Sequence, residues 1–138
     1  MRESLLPGIE YELRYTVPET KTVPHLYPES PEFAAMPAVF ATGFLVGLVE
    51  WACILAIAPH LDEGELSLGT HVDLSHDAAT PPGVEVVAQV RLESVDGRVL
   101  AFSAEAHDAT ERICAGRHRR FVVDRSRFDT GVKRKAAG

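Results

Sequence analysis

Apolar residues occupy every second position from residue 9 to residue 17, with Ile9, Tyr11, Leu13, Tyr15 and Val17 on one parity. That period puts one row of side chains on each face of an extended chain, so the segment predicts a half-buried strand. The alternation then stops, and Pro18, Pro24, Pro28, Pro31 and Pro37 follow. Each proline removes an amide donor and restricts its predecessor, so residues 18–37 predict a loop with little regular structure beyond a turn or two. Connections this long are uncommon in compact domains and often serve as lids or binding loops.

From Ala38 to Ala58 the chain is apolar except for Thr42 and Glu50, and Pro59 ends the run. The run is too long for a strand, which leaves a membrane span or a helix buried on nearly all sides. A glutamate in mid-span costs about 2–3 kcal/mol in a bilayer. No basic cluster flanks the run, and the surrounding sequence reads as soluble strands. The buried helix is therefore expected, starting near Thr42 or Gly43 with Thr42 as a candidate N-cap.

Four more strands are predicted after it. Residues 68–77 carry Val72 and Leu74 on one parity and His71, Asp73 and Ser75 on the other. Residues 84–94 align Val84, Val86, Ala88, Val90 and Leu92, and residues 98–107 align Leu100, Phe102, Ala104 and Ala106. Asp96-Gly97 between them is a strong hairpin signal. Residues 111–123 form the last strand, and residues 126–138 read as a polar basic tail. The order is strand, long loop, one apolar helix, then four strands. One helix apolar all round must be covered, and the sheet is the only element available to cover it. The expected fold is α+β: a five-stranded antiparallel sheet wrapped around one long central helix, the hot-dog architecture. Free sheet edges in such a domain lead us to expect a homodimer at least.

The chain has 138 residues, 46% of them hydrophobic, which suits a single domain over residues 1–138 with a core that needs no staple. Cys53 and Cys114 lie in apolar surroundings without paired spacing, as buried free thiols of a reducing compartment would. No basic start followed by an apolar block precedes Pro18, so a cytoplasmic location is expected. The net charge of −6 argues against a nucleic-acid partner. Yet Arg112, Arg117, His118, Arg119, Arg120, Arg125 and Arg127 crowd one late stretch. A local basic strip on an acidic protein suits a small phosphorylated ligand.

Glu50 is the most informative residue, the single charge in the apolar run. Burying an unpaired carboxylate is expensive, so the residue is either a candidate acid, base or nucleophile, or a glutamate that reaches the helix edge or a cation. His76 shares the parity of Val72 and Leu74 and should face the helix. Alone it would read as a hydrogen-bonded core histidine; opposite Glu50 and Thr42 it becomes a plausible acid or base. A Thr42 hydroxyl at a helix N-terminus sits in a positive field that also favours a developing oxyanion. Gly69, judged from sequence alone, is better read as relief of a strand or turn. In the basic strip His118 and Arg120 share the parity of Cys114 and Val122, so at least one arginine should point inward. Its fork suits phosphates of coenzyme A, although a solvated edge is the default for such a run. The six histidines show no zinc-type spacing, and no metal is expected. There is no glycine-rich phosphate loop and no Gly-x-Ser-x-Gly elbow.

These residues resemble a known family, the fluoroacetyl-CoA thioesterases of hot-dog fold, from about Lys21 to Lys135. The resemblance is carried by Lys21-Thr22-Val23, the string His25 to Phe33, Val39 to Phe44, Glu50-Trp51-Ala52-Cys53, Ser67-Leu68-Gly69-Thr70, His76 with Ala78 to Gly83, and His118 with Arg120. It implies hydrolysis of short acyl-CoA thioesters, with coenzyme A as part of the substrate and no separate cofactor. It further implies that Thr42, Glu50 and His76 cooperate in catalysis. Gly69 would supply a backbone donor near the thioester carbonyl, with Arg120 in the same polar site. Val23, Leu26 and Phe33 would form a hydrophobic lid over the acyl group. The family's selective enzyme carries a phenylalanine associated with gating where this chain has Met36. Thioester hydrolysis is therefore implied and strict fluoroacetyl selectivity is not. A non-catalytic acyl-CoA-binding protein and an enoyl-CoA hydratase are the competing expectations.

Overall fold

The computed structural model describes the whole chain, Met1 to Gly138. Its centre is a hairpin. Strand β3 (Glu85–Asp96) and strand β4 (Val99–His107) pair antiparallel, with Leu92 opposite Phe102 and Ala88 opposite Ala106. The turn between them places Gly97 at φ +58°, a conformation that glycine adopts without strain. Strand β1 (Glu10–Thr16) adds to β3, strand β5 (Arg112–Asp124) adds to β4, and strand β2 (Glu65–Leu74) closes the far edge, giving the order β1-β3-β4-β5-β2. Every pairing is antiparallel, and β1 and β2 are the two free edges.

The loop before the long helix is more ordered than its prolines suggest. It holds two short 3-10 turns (Glu19–Lys21 and Val23–His25) and a one-turn helix α1 (Pro31–Ala34), which is capped by Ser30 accepting from the Phe33 amide. Its start is pinned alongside the segment entering the long helix: Val23 N–H donates to Val39 C=O at 2.9 Å, and Ala41 N–H donates to Lys21 C=O at 3.0 Å.

Helix α2 (Thr42–Ile57) lies across the inner face of the sheet and ends in a 3-10 turn, Ala58–His60, at Pro59. By length and composition Thr42–His60 would pass as a membrane span. Here it is a core helix, with Leu45, Leu48, Val49, Ala52, Cys53, Ala56 and Ile57 buried at helical spacing. These join Val86, Val90, Leu92, Leu100, Phe102 and Val122 in one apolar cluster. Each fully buried aliphatic or aromatic side chain contributes about 1.5–3 kcal/mol. Burial is one-sided, however. Trp51 is 47% exposed and Ile54 42%, so the expectation of a helix covered on nearly all sides fails for the single chain. Five strands curl far enough to cover one flank of the helix, and its other apolar flank faces outward.

Two further expectations need correction. Strand β2 is shifted toward the N-terminus of the expected 68–77 span. It runs Glu65–Leu74, and beyond it Ser75 N–H and Asp77 N–H donate to Ala115 and Ile113 carbonyls in a looser continuation of the pairing with β5. Residues 126–138 are not a plain tail, because Arg125–Ala136 form helix α3. Asp124 caps it by accepting from the Arg127 amide at 3.0 Å, and Lys133, Arg134 and Lys135 occupy the last turn, where the helix dipole favours cations. Both cysteines are free and buried, and burial pushes the Cys53 thiol up to about 12 and the Cys114 thiol to about 11.

Candidate active site

Two polar clusters sit on α2, eight residues apart, which is about 12 Å of helix rise. The first is at its N-terminus. Thr42 is the first helical residue, and Ala41 occupies the N-cap position without a side-chain bond. The expectation that Thr42 caps the helix is therefore wrong. Its hydroxyl is left free to bond elsewhere, and it meets His76 Nδ1 at 2.8 Å. His76 lies just past β2, on the inward parity of Leu74. Its other nitrogen, Nε2, is the single buried side-chain polar atom in the chain without a hydrogen-bond partner. A buried polar atom left unpaired is costly and marks a place where a ligand atom or water belongs. Burial holds the imidazole below its ordinary pKa of 6.5, against the opposing charge of Asp77 and the Ala78 backbone, so the ring is neutral and able to accept a proton.

The second cluster is built around Glu50 and is closed. Arg120 is only 3% exposed, and every bond it makes is to the site. Nε–H donates to Ser67 Oγ at 2.8 Å and an Nη2 hydrogen to Ser67 C=O at 2.8 Å. Nη1 donates to Glu50 Oε1 at 3.1 Å and lies 3.0 Å from His118 Nε2. The Glu50 side chain is 37% exposed and has Arg120 as its cation, so of the two alternatives the sequence left open, the glutamate that reaches an edge and a cation describes its surroundings. Both of its closest polar neighbours, Arg120 and, at 3.9 Å, the His118 ring, approach Oε1. Oε2 has no protein donor.

A bulge in β2 completes this cluster. Gly69 pairs with Arg120 and His71 with Arg119, so Thr70 is the extra residue, its hydroxyl bonding Arg119 C=O at 3.3 Å. Simple alternation would put Gly69 on the outward parity with His71; the bulge turns it inward instead. A Cβ on Gly69 would collide with Glu50 Oε1 and stand 3.2 Å from His118 Cε1, so the absence of a side chain is what lets the carboxylate lie against the strand. The bland reading of Gly69 as strand relief misses this.

The proposed lid is only partly assembled. Leu26 lies over the first turn of α2, its methyls 3.2 and 3.3 Å from where a Gly43 Cβ would be. Val23 is pinned beside Val39, and Phe33 packs on Tyr27 with ring centroids 5.5 Å apart. Met36 is 51% exposed. Sequence reasoning missed Ser67 and gave His118 no role. The inward parity of His118 with Arg120 was the one available signal.

A curled antiparallel sheet around one helix, with a Glu and a Thr on that helix and a His beside it, places the chain among the hot-dog-fold acyl-CoA thioesterases. The sequence profile of the family described as fluoroacetyl-CoA-specific thioesterase matches residues 17–126, and the chain belongs to that family. It is 49% identical over 135 residues to the fluoroacetyl-CoA thioesterase of Streptantibioticus cattleyicolor, covering 98% of this chain and 97% of that protein. A solved structure of a fluoroacetyl-CoA thioesterase matches with TM-score 0.94 at 49% identity, over 96% of this chain and 98% of that one. A Thermus thermophilus hypothetical protein, a thioesterase superfamily member, matches at TM-score 0.86 and 25% identity over 98% and 96%. The chain is accordingly an acyl-CoA thioesterase.

Proposed function

We propose that the substrate is a short acyl-CoA, fluoroacetyl-CoA among the candidates, and that Glu50 is the attacking group. Oε2 adds to the thioester carbonyl, and the C–S bond breaks to release CoA thiolate, which takes up a proton. The resulting mixed anhydride is then cleaved by water. Neutral His76 accepts the water's proton as its oxygen attacks, giving the free acid and regenerating the Glu50 carboxylate. It then releases that proton to solvent, which balances the one the CoA thiolate takes from solvent and leaves the ring neutral for the next turnover. The Thr42 hydroxyl and the Gly69 amide donate to the oxyanion, each such donor contributing about 3–4 kcal/mol in well-studied enzymes. Val23, Leu26, Phe33 and Met36 cover the acyl group. The carrying observation is the buried, unpartnered His76 Nε2, which a passive acyl-CoA-binding protein would have no reason to keep.

The working unit is proposed to be a cytoplasmic homodimer. Two features support the dimer: the free β2 edge and the outward apolar flank of α2. The separation of Thr42 from Glu50 along the helix favours one further step, in which the Thr42–His76 pair of one protomer faces the Glu50 cluster of the other. Thiol release from acetyl-, fluoroacetyl-, propionyl- and longer acyl-CoAs tests the reading. Hydrolysis confined to short chains supports it. Binding of every ester with no thiol released would replace it with acyl-CoA binding alone. Equal rates on all lengths would remove the short-chain assignment.

A further inference from the structure

Arg120 approaches Glu50 in an unusual way for a buried guanidinium. Arginine and carboxylate commonly pair through two parallel bonds, and such a fork would occupy both carboxylate oxygens. Here the fork is spent on Ser67, whose hydroxyl and carbonyl take Nε–H and an Nη2 hydrogen. What remains for Glu50 is one bond from Nη1 to Oε1. The other Nη1 hydrogen has an acceptor of its own. His118 Nδ1 stands 2.8 Å from the His71 carbonyl, an oxygen that can only accept, so Nδ1 carries the ring proton. Nε2 is then a lone pair, 3.0 Å from Arg120 Nη1, and can only accept. His118 is fully buried, and the carbonyl that sets its tautomer is the first one after the Thr70 bulge.

We propose that His118 is a positioning residue that holds Arg120 to a single bond with Glu50, keeping Oε2 free to react. This rests on the reading of Glu50 as the attacking group. With the His118 acceptor removed, the second Nη1 hydrogen has no partner, and the guanidinium gains by exchanging bonds to Ser67 for a second bond to the carboxylate. A guanidinium that engages both oxygens stabilises the carboxylate ground state and withdraws its nucleophile. The loss then falls on the chemical step, because the groups that hold the substrate are untouched.

The test is a set of steady-state measurements on one short acyl-CoA with His118→Leu, His118→Gln and His118→Asn, and Glu50→Gln as reference. Gln places an acceptor where Nε2 stands, whereas Asn reaches only to the position of Nδ1. His118→Leu is expected to lower kcat by about 30-fold with KM within about 2-fold, and His118→Gln to recover kcat to within about 3-fold of wild type while His118→Asn does not. If His118→Leu fails to fold, the contrast between Gln and Asn decides. Unchanged kcat in His118→Leu, equal loss in Gln and Asn, or a loss confined to KM would each overturn the proposal. Near-normal turnover in Glu50→Gln would overturn the reading beneath it. An inactive Glu50→Gln beside a fully active His118→Leu would remove His118 alone.

Discussion

The two ends of α2 are built on opposite plans. At Glu50 the fold has spent its polar groups on each other: Ser67, Arg120, His118 and the His71 carbonyl form a chain of bonds in which one carboxylate oxygen is left over. At Thr42 there is one hydrogen bond, an exposed hydroxyl and an imidazole nitrogen with nothing to bond. The first end is rigid before any substrate arrives. The second is completed only by what binds to it. Under the mechanism proposed above that division is useful, because an attacking Glu50 needs fixed geometry, whereas groups that meet a developing charge need unspent bonding capacity.

Breaking the closed end should have the largest effect. Glu50→Gln keeps the shape and removes the charge, and thiol release should fall by at least about a thousand-fold while the thermal midpoint stays within a few degrees. A mixing experiment sharpens the comparison next. Thr42→Ala and Glu50→Gln proteins, each nearly inactive, should regain about a quarter of wild-type turnover after co-refolding if one site draws on both protomers, since half the dimers are mixed and each holds one intact site. No recovery would assign both ends to a single protomer. Gly69→Ala should cost about 10- to 100-fold in kcat, because the new methyl displaces the Glu50 carboxylate that lies against it.

Smaller effects probe the open end. Thr42 caps nothing, so Thr42→Ala should leave stability within about 0.5 kcal/mol in a denaturant titration, where loss of a true N-cap costs about 1 kcal/mol. The pH dependence of stability follows from two imidazoles, half-buried His76 and fully buried His118. His76 and His118 are both held below 6.5 by burial. The unfolded chain binds protons at the ordinary value and the folded chain does not, so their contribution is fully present above that value and is lost as the pH falls through it toward the folded pKa values. Thermal midpoints measured from about pH 7.5 down to about 5 should decline, and His118→Gln should flatten the decline.

The fold was legible because its signals are periodic. Val86, Ala88, Val90 and Leu92 announce their strand by alternation, Asp96-Gly97 its turn, and the run after Thr42 its helix. What alternation cannot carry is a change of phase. The inward placement of Gly69 depends on Thr70 being skipped by the ladder, and no residue type there signals a bulge. The Thr42 cap failed for a related reason: Thr42 is itself helical, and the choice of Ala41 as cap depends on the backbone entering from Phe40. Glu50 and His76 stood out as polar groups on apolar rows. Ser67 did not, because a serine in a strand is unremarkable until an arginine five strand positions from the end of its neighbour reaches it. The α3 helix went unread for want of an apolar stripe, since its stability rests on Asp124 and on charge at its last turn.

The Thr70 bulge also bears on how this chain can change length. Strand β2 serves both polar clusters, Ser67 and Gly69 before the bulge and His76 after it, and the extra residue works as a phase shifter between two reading frames. Losing Thr70 would leave Gly69 and Val72 two positions apart and so on one face, and both inward rows would be kept while the local twist of the bulge was lost. The rows fall out of step only if Thr70 stays and is taken into the ladder. Point substitution at Thr70 leaves that phase alone. The position is therefore tolerant of both a change of identity and a loss, the reverse of Gly69 beside it. One further residue between Gly69 and Val72, with no second bulge to absorb it, would instead turn one of the two rows away from the helix.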